Sequence, residues 1–131
     1  MDLLHNKRLV ITGAGSGIGR ATCLLAAREG ARILAVDVMD SVHETAARIT
    51  AAGGEAIAVQ ADVSEESAVA AFVDHCIESF GGLDGLYANA GVSGGRKPLQ
   101  DLSVADWQRT LSVNTIGVFL AIKHAVPHLV N

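Results

Sequence analysis

Cysteine is scarce in this chain. Cys23 and Cys76 are two isolated thiols, with neither a C-x-x-C pair nor the spaced set that a disulfide framework needs. Cations are also in short supply: 10 Lys+Arg against 14 Asp+Glu leave a net charge of −4, and the pI is near 5.6. A nucleic-acid partner is therefore not expected, since nothing supplies a basic footprint. No apolar run reaches the length of a membrane span, and the opening Met1-Asp2-Leu3-Leu4-His5 lacks a signal-peptide pattern. The expected setting is the cytoplasm, with no membrane partner. Internal repeats, linkers and low-complexity segments are missing too. A metal site is not expected either: His5, His43 and His75 are scattered, and His124 with His128 lie four apart without a carboxylate to complete a ligand set.

What the chain does have is apolar mass. Half of its 131 residues are hydrophobic and 14 are glycine, with a mean hydropathy of +0.34, which excludes a disordered chain. The length suits one domain, residues 1–131, and is short for a complete α/β enzyme. The most informative stretch is Val10-Ile11-Thr12-Gly13-Ala14-Gly15-Ser16-Gly17-Ile18-Gly19-Arg20, where an apolar run enters a turn with four glycines in seven residues. Ala21, Leu24, Leu25 and Ala27 then follow at helical spacing. A strand, glycine turn and helix in that order form a nucleotide-binding unit, with phosphates at the helix N-terminus where free N–H groups and the dipole favour negative charge.

The rest of the chain repeats strand and helix. Strands are expected at Lys7 to Ile11, Arg32 to Asp37, Ala56 to Gln60 and Leu83 to Ala88. The second of these is nearly all apolar, as a strand covered on both faces should be. Helices are expected from Ser16 or Gly17 to Glu29, closed by Gly30, and from a Ser41/Glu44 capping box to Gly53-Gly54. A third should run from a Ser64 cap to Phe80, stopped by Gly81-Gly82. A glycine-rich loop from Asn89 to Asp101 precedes a long helix capped by Ser103 and Asp106. Four strands alternating with helices predict an α/β, doubly wound parallel sheet, a Rossmann fold, with right-handed crossovers.

Read as T-G-x-x-x-G-x-G through Thr12, Gly13, Gly17 and Gly19, the turn resembles the opening fingerprint of the short-chain dehydrogenase/reductase family. Read as G-x-G-x-x-G from Gly13 it fails, because the last position is Ile18. Asp37 ends the second strand, 18 residues after Gly19, where an acid accepts bonds from the adenosine ribose and repels a 2′-phosphate. Ser16 and Val38 supply no cation for such a phosphate, so NAD is expected over NADP. Asp62-Val63, after the third strand, matches the family's adenine contact, and Asn89-Ala90-Gly91 its turn after the fourth strand. Asn114 matches the active-site asparagine of the long helix, which in the family holds a water leading to the active-site lysine. The cofactor-binding set that the resemblance implies is Gly13, Ser16, Gly17, Ile18, Gly19, Asp37, Asp62, Val63, Asn89, Ala90 and Gly91.

The family's chemistry also needs a serine and a Y-x-x-x-K pair. This chain has one tyrosine, Tyr87, with Gly91 four residues on, and its lysines are Lys7, Lys97 and Lys123. The resemblance thus implies the first half of the family fold, ending at Asn131 after the long helix, with strand order 3-2-1-4. A chain of that kind is expected to bind the cofactor yet be inactive alone, lacking a proton donor. Two functions stay open. One is an NAD-dependent oxidoreductase acting on an alcohol or ketone; the other is a non-catalytic nucleotide-binding or interaction module. The apolar fourth strand, an edge in this order, and the apolar long helix imply self-association, a homo-oligomer.

Overall fold

A computed structural model describes residues 2–129. Four parallel strands, β1 (Arg8–Thr12), β2 (Arg32–Asp37), β3 (Glu55–Gln60) and β4 (Gly85–Tyr87), lie in the order β3-β2-β1-β4. Register is continuous along β1 and β2, from Arg8 opposite Arg32 to Thr12 opposite Val36. The helices are α1 (Gly17–Arg28), α2 (Val42–Ala51), α3 (Glu66–Phe80), α4 (Val104–Leu111) and α5 (Gly117–Leu129). The expected α/β parallel sheet and its strand order are both found.

The two-residue period of the strands divides the core in two. Val10, Leu34 and Val36 point to one face and pack with Phe72, Val73, Cys76 and Leu120 of α3 and α5. Their neighbours Ile11, Ile33 and Ala35 point to the other and meet Cys23, Ala26, Val42 and Ile49 of α1 and α2. Both faces of the sheet are thus covered, which is why β1 and β2 read as unbroken apolar runs. At the lower end Arg8 forks onto Asp84, with Nε 2.7 Å and Nη2 3.0 Å from the carboxylate oxygens. Those bonds hold the Asp84 carboxyl down to about 2.

Local chemistry departs from expectation at several ends. Ser41 is already helical (φ −57°, ψ −15°) and caps nothing. Its supposed partner Glu44 is drawn instead to Arg48 and Arg20, so that capping box does not form. Nor does Ser64 cap α3: the helix starts at Glu66 with no side-chain cap. The Ser64 hydroxyl instead donates to Asp62 Oδ1 at 2.6 Å, and its amide to the same oxygen at 3.0 Å, so Ser64 closes a local Asx turn on Asp62. The capping box at Ser103 and Asp106 does form. The helix behind it is not continuous, however. Residues Ser112–Ile116 form a π turn between α4 and α5, with the Gly117 N–H reaching back to Ser112 O. β4 is shorter than the Leu83 to Ala88 run that its apolar residues suggested.

Candidate functional site

The upper ends of the strands meet at a cleft of about 480 Å³, within the range of small-molecule sites. Every residue of the expected cofactor set lines it except Gly19. Four segments at the strand ends supply the walls: the glycine turn after β1, the Asp37 end of β2, Asp62-Val63 after β3, and Asn89 to Val92 after β4. Arg109 and Val113 close it from α4 and the π turn.

The glycine turn is built for close approach. Gly17 has φ +52° and nothing within 4 Å of where a Cβ would lie, so its requirement is conformational. Gly19 is required by contact: a Cβ there would stand 2.0 Å from Gly13 O. Gly19 therefore seats the helix on the turn rather than lining the cleft. Ser16 precedes α1 without using its side chain as a cap, no acid occupies the first turn, and the first helical bond runs from Arg20 N to Ser16 O. The amides of Gly17, Ile18 and Gly19 have no intrahelical acceptor, leaving a positive N-terminus free for an anion. Ile18 beside it is 70% exposed, an apolar side chain open to a flat partner.

Asp37 is anchored without being used up. Oδ2 accepts from Gly15 N at 2.8 Å and Oδ1 from Met39 N at 3.1 Å, so each oxygen retains acceptor capacity. Asp62 Oδ1 accepts from both the amide (3.0 Å) and the hydroxyl of Ser64 (2.6 Å), while Oδ2 accepts from Arg109 Nη1 at 3.2 Å. The Ser64 hydroxyl above all, with Arg109 assisting, holds the Asp62 carboxyl below the usual carboxylate range.

Asn89 ties the fourth strand to the first: its Nδ2 donates to Thr12 O at 3.2 Å, and the Asn89 and Ala90 amides both donate to Thr12 Oγ1 at 3.0 Å. Asn114 lies in the π turn, just off the cleft lining. Its Oδ1 accepts from Val92 N at 2.7 Å and its Nδ2 donates to Val92 O at 2.8 Å. A Cβ on Gly91 would press on Asn114 Oδ1 at 3.2 Å. The carboxamide thus clamps the start of the glycine-rich loop, and the local π geometry explains why an asparagine is tolerated mid-helix.

Some contributors carry no clear sequence signal. Thr45, fully buried, donates to Ala14 O at 2.8 Å and accepts from Arg20 Nε at 2.9 Å, fastening α2 to the turn. Arg20 also donates to Ser41 O at 3.1 Å. Arg109 is the other residue missed. Thr12, by contrast, was in the fingerprint all along. His124 does meet a carboxylate, Glu66 Oε1 at 3.0 Å, yet no group of three candidate metal ligands occurs among the described residues. Lys97 is held by Asp106 (3.2 Å) and Lys123 by Glu66 (2.5 Å), so neither bond involves Tyr87. No helix among those residues is long and apolar enough to cross a membrane.

The model of the family described as "short chain dehydrogenase" matches residues 7–131. The chain belongs to the short-chain dehydrogenase family. It is 42% identical over 120 residues to cis-4-hydroxycyclohexanecarboxylate dehydrogenase of Sinomonas cyclohexanicum, covering 92% of this chain and 48% of that protein. Levodione reductase of Leifsonia aquatica is 39% identical over 121 residues, covering 90% and 45% respectively. Among solved structures, NAD+-bound xylitol dehydrogenase superposes with a TM-score of 0.91 at 34% identity, covering 97% of this chain and 49% of that one. The chain spans about half the length of the curated relatives it matches. Short-chain dehydrogenases with NAD bound being among its structural neighbours, a nicotinamide cofactor suits the fold.

Proposed function

We propose that this chain is the NAD-binding part of an oxidoreductase that moves a hydride between nicotinamide and an alcohol or ketone. The observation that carries this reading is the convergence of the glycine turn, Asp37, Asp62-Val63 and Asn89 to Gly91 on one cleft. The chain's residues fit the cofactor. The free amides of Gly17 to Gly19 take the pyrophosphate, and Asp37 accepts both ribose hydroxyls while repelling a 2′-phosphate. Arg20, a cation in the first turn of α1, is bound to Thr45, Ser41 and Glu44. NAD rather than NADP follows. Asp62 and Val63 hold the adenine, Asn89 and Ala90 fix the turn that supports the ribose, and Ile18 covers the nicotinamide end.

Nicotinamide supplies the hydride acceptor when bound. Asn114 orders Val92 in the cleft lining, and one lone pair on Oδ1 with one N–H of Nδ2 is the capacity left for holding a water. No tyrosine–lysine pair is brought together among the described residues, so these residues alone should not pass a proton to or from a substrate oxygen. The second reading, a nucleotide-binding module without chemistry, is favoured by that same observation for the 131-residue chain taken by itself. Exposed Phe119, Ile122 and Val126 on α5 suit a homo-oligomer, and the free thiols Cys23 and Cys76 a cytoplasmic setting.

The test is an NMR titration of the ¹⁵N-labelled chain with NAD. Shifts concentrated at Gly13 to Gly19, Asp37, Asp62, Val63 and Asn89 to Gly91 are expected; saturable shifts centred elsewhere would contradict the assignment. Incubation with NAD and simple secondary alcohols should yield no NADH.

A further inference from the structure

Arg109 on α4 donates to the Asp62 carboxylate in the segment after β3. Its Nη1 lies 3.2 Å from Asp62 Oδ2, and its side chain is 54% exposed. An ion pair so open to solvent contributes little to stability, so holding the fold together is a poor explanation for it. The acceptor count suggests a better one. A carboxylate offers about four lone-pair sites; Ser64 takes two on Oδ1 and Arg109 one on Oδ2. One remains, on the oxygen that Arg109 holds. Both residues line the cleft.

We infer that Arg109 is a positioning residue: it aims Asp62 Oδ2 at the exocyclic amine of an adenine ring, so that the cleft prefers adenine to hypoxanthine. This rests on the dinucleotide reading above. Adenine presents an N–H donor at that ring position, whereas hypoxanthine presents a carbonyl oxygen, which a fixed carboxylate repels. Without Arg109, Asp62 keeps its Ser64 bonds but loses the partner that orients Oδ2.

Fluorescence titrations with NADH and with reduced nicotinamide hypoxanthine dinucleotide test this on the 131-residue chain. The unsubstituted chain should prefer NADH by on the order of tenfold. Arg109→Met should bring the preference close to unity, and Arg109→Lys should restore most of it. In an Asp62→Ala background, Arg109→Met should change nothing further. The inference is overturned if Arg109→Met weakens both dinucleotides by one factor with the preference intact, or if the two substitutions act independently. A folded chain that binds neither dinucleotide would overturn the dinucleotide reading, and this inference with it. Far-UV circular dichroism of each variant separates a lost fold from a lost preference.

Discussion

Replacing Gly19 by alanine should damage this protein more than replacing Gly17, although Gly17 is the one with the unusual backbone. At Gly19 the new Cβ would stand 2.0 Å from Gly13 O, 2.6 Å from Gly13 C and 2.8 Å from Asn89 Nδ2. Ordinary carbon contacts begin near 3.5 Å, so the turn must open by more than about 1 Å. Overpacking of this kind costs about 1–3 kcal/mol. Displacing Asn89 loosens its bond to Thr12 O, worth about 1 kcal/mol. Alanine returns about 1 kcal/mol in helix propensity. The net is a loss of about 1–3 kcal/mol, together with the alignment of the α1 amides. At Gly17 nothing lies within 4 Å of the new Cβ, and only the left-handed conformation penalises it, by about 1 kcal/mol. Urea unfolding at constant m-value measures both, and an NADH titration reads the site. Gly19→Ala as stable as the unsubstituted chain, or the two variants in reverse order, would refute the contact argument.

Three further outcomes follow from other parts of the molecule. Asn114→Ala removes both bonds to Val92, so the Val92 amide should exchange with solvent about tenfold faster; unchanged exchange would mean that the clamp does not hold the loop. Asp84, held down to about 2 by Arg8, stabilises the fold above its ordinary titration range and loses that contribution as pH falls towards 2. Asp84→Asn should therefore cost about 1 kcal/mol at neutral pH and much less near pH 2, as read by urea unfolding at both; a pH-independent difference would deny the ion pair. Burial pushes the Cys23 thiol up to about 12 and Cys76 to about 11. Iodoacetamide at pH 8 should modify neither thiol in the folded chain and both in urea, and rapid labelling without denaturant would place one of them at the surface.

Most of the fold was legible because its signals are local and redundant. Apolar runs at β1 and β2 can only be strands covered on both faces, and glycines with φ of +92° at Gly30 and +80° at Gly81 end α1 and α3 where the spacing put the stops. The cleft was legible for the same reason: turn, acid and N-A-G segment each follow a strand, and parallel strands deliver such segments to one edge. Side-chain choices among competing partners were not. Ser41 and Ser64 look like caps by spacing, yet Glu44 is claimed by two arginines and Ser64 by Asp62. The π turn at Ser112–Ile116 has no period of its own to read. Thr45 and Arg109 act across 31 and 47 residues of chain, a range at which composition and periodicity are silent.

The central claim is that the cleft binds a dinucleotide and that Asp37 selects the unphosphorylated ribose. Fluorescence titration of the 131-residue chain with NADH and with NADPH tests it most directly. Saturable binding, tighter for NADH, with the preference lost in Asp37→Ala, is the expected result. A folded chain that binds NADPH more tightly, or that binds neither dinucleotide, would contradict it.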